Sequence, residues 1–157
     1  MERELEYGCA QRVQLVEIEQ VGPSAVAESA PGARKPRDVF DVLRPLIATK
    51  DREHFVVLHI DARHTVVSVE VVSKGTLTSS PVHPREVFKG ALLANAAAII
   101  AAHNHPSGDV TPSSEDREVL RRLHDAGKLL GVPLLDFLIV TPETFHSERE
   151  GGAWPVG

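Results

Sequence analysis

The sequence predicts an α/β fold in which one mixed β-sheet is flanked by helices. The chain has 157 residues, which is enough for one domain with a substantial hydrophobic core. Segments with the apolar–polar alternation of strands are interleaved with segments whose apolar residues have helical spacing. Two of the strand segments are separated by only a short polar turn, which indicates an antiparallel hairpin. This order of elements favours a single sheet with helices packed against it.

The N-terminal part of the chain begins with a strand pattern and continues as a loop. Residues 13–21 alternate roughly between apolar and polar side chains, and the stretch after them carries three prolines and two glycines. We therefore assign residues 1–35 to an N-terminal strand and a flexible loop. Residues 36–49 have apolar side chains at helical spacing, and Pro45 is expected to kink or shorten this helix.

The rest of the chain supplies the hairpin, two further helices and two further strands. In chain order these segments are the hairpin strands 54–61 and 64–72, a helix over 84–98, a buried strand over 97–102, a helix from residue 113 or 114 to about 130, and a strand over 134–140. Ser113 or Ser114 is the expected N-cap of the last helix, and Gly131 is its expected end. No element is predicted after residue 140. The expected domain spans residues 36–150, and residues 151–157 form a C-terminal tail.

Composition and charge narrow the classes of protein. The sequence has no apolar run close to the ~20 residues needed to cross a bilayer, and its start lacks the apolar centre of a secretory signal. The single cysteine, Cys9, excludes an internal disulfide, so a cytoplasmic location is expected. A net charge of −5 disfavours binding of nucleic acid through a strong overall positive field. The local basic residues Arg117, Arg121, Arg122 and Lys128 are best explained as a solvated helix face.

Histidine is unusually frequent, and two of the eight copies stand together directly after a predicted buried strand. His103 and His105 are two residues apart, so in an extended chain both imidazole rings point to the same side. Imidazole is a common metal ligand, and a hydrolytic zinc ion usually has three protein ligands and one open position. Asp116, in the first turn of the next helix, is the candidate for the third ligand, because the helix dipole favours its ionised form.

Each of these residues also has a purely structural explanation. Ser113 and Asp116 are spaced like a capping box, in which the serine caps the helix and the acidic side chain bonds back to the cap. His103 and His105 can be explained as loop histidines that form hydrogen bonds. The structural and chemical explanations do not exclude each other, because a capping box would also hold Asp116 in place.

The stretch HNHPSGDVTPSSED resembles the JAMM (MPN-plus) metalloprotease motif, which is His-x-His-Pro, six residues, and Ser-x-x-Asp. Every fixed position of the motif matches, at His103, His105, Pro106, Ser113 and Asp116. The flanking sequences HFVVLHIDARH, GTLTSSPVHPREVF, ANAAAIIAAHNHPSGD and LLGVPLLDFLIV resemble the RadC family. The resemblance covers about residues 36–150 and implies a cytidine-deaminase-like JAB/MPN fold, in which a mixed sheet lies between helices.

The resemblance implies a zinc-dependent metallohydrolase, which would be a JAMM-type peptidase or isopeptidase. Zn2+ is expected to be held by His103, His105 and Asp116, with water as its fourth ligand and with the pKa of that water lowered towards ~7. The substrate would be a peptide or protein of unknown identity. The unpaired strand edges of a mixed sheet are compatible with a homodimer.

The general base of JAMM enzymes is a glutamate supplied from upstream, near the start of a strand, which takes the proton of the attacking water. Glu53, just before HFVVL, matches that place, and Glu70 and Glu86 are the rival candidates. The resemblance also implies that Ser113 donates a hydrogen bond to the oxyanion of the tetrahedral intermediate. Asn104 points away from the metal if its neighbours point towards it, so no catalytic role is expected for it.

Other functional classes fit less well. A cytidine deaminase would require His-x-Glu and Pro-Cys-x-x-Cys, which a chain with one cysteine cannot supply. The letters HNH do not indicate an HNH nuclease, whose named residues are dispersed. The alternative to a hydrolase is a non-enzymatic or nucleic-acid-associated RadC-like module, an accessory of DNA repair or recombination with a structural or vestigial metal site. Longer RadC-type proteins carry an N-terminal helix-hairpin-helix DNA-binding domain. We expect none here, because the sequence before the RadC-like part is too short, and this weakens the case for DNA association.

Overall fold

The computed structural model describes residues 32–75, 82–151 and 154–155. Its elements in chain order are α1 (Pro36–Leu43), a π-helical turn (Arg44–Ala48), β1 (His54–Ile60), β2 (Val66–Lys74), α2 (Pro84–Leu93), β3 (Ala98–Asn104), α3 (Ser114–Leu130), β4 (Leu134–Val140) and β5 (Phe145–Ser147). The strands form one sheet in the order β2-β1-β3-β4-β5. β1 is antiparallel to β2 and β3, β3 is parallel to β4, and β4 is antiparallel to β5. The predicted mixed α/β architecture is confirmed, whereas the strand predicted over 13–21 lies outside the described residues.

Both faces of the sheet are covered by helices, which gives the domain three layers. On one face, Phe40 of α1 belongs to a buried cluster with Val56 of β1 and Leu138 of β4. On the other face, Phe88 of α2 and Leu120 of α3 belong to a second buried cluster. Every residue of β1 and β3 is buried, because these central strands are enclosed on both sides. In the described parts of the chain, no helix is long and apolar enough to cross a membrane.

The helix predicted over 36–49 is confirmed, and so is its break at Pro45. α1 is regular up to Leu43 and continues as the π-helical turn, which contains the proline. Proline has no N–H to donate to the preceding turn, so the backbone there cannot keep regular α-helical hydrogen bonding. Ile47 and Ala48 remain buried, which holds this wider turn against the sheet.

The hairpin of β1 and β2 is also confirmed, with a longer turn than the sequence predicts. The Asp61 carboxylate accepts hydrogen bonds from the backbone N–H groups of Arg63 at 2.9 Å and Thr65 at 2.8 Å. His64 adopts the left-handed conformation, with a φ of 62°. Because this turn extends further along the chain, β2 begins at Val66, two residues later than the apolar alternation predicts.

The helix predicted over 84–98 is shorter in the structure, and this predicted boundary is wrong. α2 ends at Leu93. Asn95 has a left-handed φ of 49°, which asparagine tolerates better than most residues, and the chain leaves the helix there. β3 then begins at Ala98 and extends to Asn104, two residues beyond the predicted end of that strand.

The sheet also has an edge strand that the sequence does not predict. β5 pairs with β4 through contacts such as Leu138 with Ser147. Phe145 stacks on Phe40 of α1, with ring centroids 4.9 Å apart. A three-residue strand with one apolar side chain is too short to show a period, so only its pairing partner reveals it.

Gly127 of α3 faces a backbone segment so closely that a methyl group does not fit. An added Cβ would lie 2.7 Å from the carbonyl oxygen of Val132 and 3.2 Å from the nitrogen of Leu134. We expect Gly127→Ala to destabilise the fold by about 1–3 kcal/mol, the usual cost of overpacking, despite the better helix propensity of alanine. Urea unfolding measures this change. Lys128→Ala, at the next and exposed position, is the control and should stay within about 0.5 kcal/mol of the parent. An unchanged midpoint for Gly127→Ala would show that the facing backbone gives way.

Candidate metal centre

The end of β3 carries the two predicted histidine ligands. His103 is a residue of the strand, and His105 continues its hydrogen-bond ladder, because His105 N–H donates to the carbonyl oxygen of Val140 in β4 at 3.1 Å. The two rings therefore lie on the same face of the sheet, and their Nε2 atoms are 2.9 Å apart. Asn104, between them, lies on the opposite face.

The third predicted ligand is placed by the N-terminus of α3. Ser113 is the N-cap: its hydroxyl oxygen accepts a hydrogen bond from Asp116 N–H at 3.1 Å. In return, Asp116 Oδ2 accepts a hydrogen bond from Ser113 N–H at 2.8 Å. Gly131, with a left-handed φ of 71°, ends the helix, so both predicted ends of α3 are confirmed. The capping box restricts the Asp116 side chain to one orientation.

Asp116 meets both histidines in this orientation. Its Oδ1 atom is 3.1 Å from His103 Nε2, and its Oδ2 atom is 3.7 Å from His105 Nε2. One ligand atom from each of the three residues lies within 4.8 Å of the others. The structural and chemical explanations therefore coexist, since Asp116 caps its helix and faces both imidazole rings.

The loop between β3 and α3 folds back and sets the tautomer of His105. Its Nδ1 atom is 2.6 Å from the carbonyl oxygen of Asp109, which can only accept, so Nδ1 carries a hydrogen. In the neutral ring, Nε2 then offers a lone pair towards the site, which is the state in which imidazole binds a metal. Gly108, with a φ of 83°, forms the turn that allows this contact.

The site is buried and contains an ionised carboxylate. The side chains of His103 and Asp116 are 0% and 1% exposed, and that of His105 is 13% exposed, so solvent reaches the site from the His105 side. Burial acts to raise the pKa of Asp116, but the polar contact and charge of His103, with hydrogen bonds from Ser113, outweigh it. They hold the pKa of Asp116 well below its usual range, so Asp116 is an anion at neutral pH.

The three side chains fit a tetrahedral metal ion such as zinc. Zinc–nitrogen bonds of about 2.0–2.1 Å place neighbouring ligand atoms about 3.3 Å apart in a tetrahedron. The two Nε2 atoms are 2.9 Å apart, Asp116 Oδ1 is 3.1 Å from His103 Nε2, and Asp116 Oδ2 is 3.7 Å from His105 Nε2, so the three groups are close enough to share one ion. Phe55 and Phe137 pack against the His103 ring, at centroid distances of 6.3 and 5.5 Å, and keep it in place. Two imidazoles and one carboxylate are a typical ligand set for hydrolytic zinc.

The sheet register relates Glu53, the favoured general base, to the ligands. Phe55 of β1 pairs with His103 of β3 in the antiparallel ladder. Glu53 directly precedes β1, two residues before Phe55, and the β1–β3 ladder ends at the pair of Phe55 and His103. The Glu53 carbonyl oxygen also accepts a hydrogen bond from Gly75 N–H at 2.9 Å. Glu53, before the start of β1, thus lies at the same end of the sheet as His103 and His105, at the end of β3.

The rival glutamates have other partners. Glu70 of β2 lies 3.7 Å from His59 Nε2, and burial raises the pKa of Glu70. Gly90 of α2 leaves space for the Glu70 carboxylate, since a Cβ added at Gly90 would collide with Glu70 Oε2. Glu86 is exposed and forms a 2.8 Å ion pair with Lys89. Neither Glu70 nor Glu86 belongs to β1 or β3, and the choice of Glu53 as the general base stays a prediction.

The basic residues of α3 belong to a surface of mixed charge. The exposed side chains of this helix include four cations and three anions, namely Arg117, Arg121, Arg122, Lys128, Glu115, Glu118 and Asp125. Because cations and anions are interspersed along the helix, they do not add up to a strong positive field. α3 therefore has the character of a solvated helix face.

Comparison with known sequences places the chain in a family. The profile of the RadC-like JAB domain matches residues 33–153. A UPF0758 protein of Symbiobacterium thermophilum is 53% identical over 117 residues, which cover 74% of this chain and 50% of the relative. A UPF0758 protein of Rubrobacter xylanophilus is 50% identical over 122 residues, with coverages of 78% and 53%. Another, of Burkholderia ambifaria, is 43% identical over 153 residues, with coverages of 92% and 57%. The chain spans about half the length of these curated relatives, and it belongs to the RadC-like JAB domain family.

Proposed function

We propose that this domain is a zinc-dependent metallohydrolase of the JAMM type, which cleaves a peptide or isopeptide bond. The observation that carries the proposal is the convergence of His103, His105 and Asp116 in a buried site with one solvent-facing side. A site that only stabilised the fold would be expected to close around its metal with four protein ligands. Among the described residues, this group offers three, which leaves a position for water or substrate.

The metal would be held by His103 Nε2, His105 Nε2 and the Asp116 carboxylate. When bound there, Zn2+ lowers the pKa of a coordinated water and polarises the carbonyl of the scissile amide. The Asp116 carboxylate supplies negative charge, and the capping box of α3 keeps it in place during turnover. His105 keeps its metal-binding tautomer through its hydrogen bond to Asp109 O.

Glu53 is assigned the proton transfers. Its carboxylate takes a proton from the attacking water and passes it to the nitrogen of the leaving amine when the C–N bond breaks. The products are a carboxylate and an amine, so the net reaction consumes one water. Ser113 is assigned to the oxyanion of the tetrahedral intermediate: its oxygen accepts the bond from Asp116 N–H, and its O–H is a separate donor.

Zinc-dependent amide hydrolysis is the expected result of a direct assay. The purified protein, stripped of metal and then loaded with one equivalent of Zn2+, is incubated with a fluorogenic peptide library and with ε-lysyl isopeptide substrates. We expect cleavage that a chelator abolishes and added Zn2+ restores. The melting temperature should rise only modestly on metal binding, since the two hydrophobic clusters, and not the metal ligands, bury most of the apolar surface. No cleavage in either substrate class, together with a strong rise in melting temperature, would instead indicate a structural metal.

A further inference from the structure

Asn104 is a buried polar residue that the proposed reaction does not use. It is the last residue of β3, is fully buried, and lies between the two histidine ligands in the sequence. Because side chains alternate along a strand, Asn104 faces the α1 side of the sheet while His103 and His105 face the α3 side. A fully buried amide in that position must satisfy both its oxygen and its nitrogen within the protein.

The partners of Asn104 are the backbone groups on the two sides of Glu53. Its Oδ1 atom accepts a hydrogen bond from His54 N–H at 2.7 Å. Its Nδ2 group donates to the carbonyl oxygen of Arg52 at 3.1 Å and to that of Lys50 at 3.4 Å. The Arg52 carbonyl belongs to the peptide unit before Glu53, and the His54 N–H belongs to the peptide unit after it. One side chain therefore holds the backbone on both sides of the candidate base.

We propose that Asn104 is a positioning residue, which fixes Glu53 relative to the metal ligands. This inference rests on the proposed function, in which Glu53 is the general base. Asn104 lies between His103 and His105 in the chain. The end of β3 therefore positions the two candidate ligands through its backbone and the segment that carries Glu53 through the Asn104 side chain. A further hydrogen bond, from Gly75 N–H after β2 to the Glu53 carbonyl oxygen at 2.9 Å, restrains the same backbone segment from the β2 side.

The chemistry of the contact explains why the side chain is an amide. The segment around Glu53 presents one N–H donor and two carbonyl acceptors to a single buried point. An amide offers an acceptor oxygen and two N–H donors in one flat group, which matches this demand. An ionised aspartate would offer acceptors alone, and leucine, of similar size, would offer neither.

The test follows the Glu53 carboxyl carbon by NMR in protein labelled with 13C at glutamate side chains, with Glu53→Gln used for assignment. In the parent, the Glu53 resonance should shift when Zn2+ is added. In Asn104→Leu and Asn104→Ser, that shift should be lost while the ring signals of His103 and His105 still respond to Zn2+. Hydrogen exchange of the His54 amide should be at least about tenfold faster in both variants.

A control separates positioning from general destabilisation. Ser147→Ala removes another buried hydrogen bond, to Asp136 Oδ2 at 2.7 Å, on a strand at the edge of the sheet. This variant should keep the parental response of Glu53 to Zn2+. For any substrate that the parent cleaves, kcat of the Asn104 variants should fall about 100-fold with KM little changed, as expected for a displaced catalytic group.

The outcomes distinguish the two proposals. If Asn104→Leu and Asn104→Ser keep the Glu53 shift, or if only one of them folds and that one keeps it, Asn104 has no positioning role and the proposed function is unaffected. If the Glu53 signal of the parent does not respond to Zn2+ at all, Glu53 is not at the metal. The base assignment and the positioning role then both fail, while the metal ligands are still tested by their own variants.

Discussion

Asp116→Asn is expected to lower zinc affinity by at least about 100-fold. Even the loss of a residue that only orients a ligand lowers metal affinity roughly 10–100-fold. The amide has the same shape as the carboxylate, and its oxygen can still accept the hydrogen bond from Ser113 N–H. The capping box of α3 is therefore retained. What is lost is the negative charge that faces His103 and His105. The substitution separates the structural role of Asp116 from its role as a ligand.

Titration against a chromogenic zinc chelator measures this affinity, and the melting temperature of the metal-free protein reports on folding. Glu115→Gln is the matched control, because Glu115 is an exposed carboxylate in the same first turn of α3 and should leave zinc affinity at the parental value. Parental affinity in Asp116→Asn would exclude Asp116 as a ligand. A large fall in the metal-free melting temperature would show that the capping box, and not the ligand set, had been disturbed.

The sequence predicts the fold best where burial imposes a period on the side chains. β4 coincides with its predicted range over 134–140. α3 begins after a capping serine and ends at a left-handed glycine, as predicted. The alanine-rich stretch around 94–98 has no polar face, so its side chains do not distinguish a helix from a strand. The left-handed conformation of Asn95 decides that boundary, and Ala96 N–H closes the helix end by donating to the carbonyl oxygen of Ala91 at 2.9 Å. β5 forms only because β4 offers it an edge.

The candidate metal ligands could be predicted because their arrangement is local. Alternation along β3 sets His103 and His105 on one face, and the capping box sets Asp116 in the first turn of α3. The link between Asn104 and the segment of Glu53 joins residues 50 positions apart in the chain. Alternation does predict that Asn104 faces away from the ligands, but only the folded structure shows that its side chain contacts the backbone before β1. Long-range contacts of this kind leave no period in the sequence.

Glu53→Gln is expected to lower kcat by about 10²–10⁴-fold, which is the usual contribution of a group that transfers protons in the transition state. Glutamine has the shape of glutamate and can form hydrogen bonds, but it cannot take up the proton of the attacking water. The ligands His103, His105 and Asp116 are unchanged, so zinc affinity should stay at the parental value. KM should change little, because the contacts that bind substrate remain. Steady-state kinetics on a substrate cleaved by the parent, together with the chelator titration, measures both quantities.

The two rival glutamates provide matched controls for this substitution. Glu86→Gln removes an exposed carboxylate that is paired with Lys89, and its kcat should equal that of the parent. Glu70→Gln alters the contact between β2 and His59 of β1, so it should change stability more than kcat. If Glu70→Gln is instead the inactive variant, the base belongs to β2, and the zinc ligands are unaffected. If all three variants keep the parental kcat while Asp116→Asn is inactive, no carboxylate among these three accepts the proton, and the assignment of Glu53 is wrong.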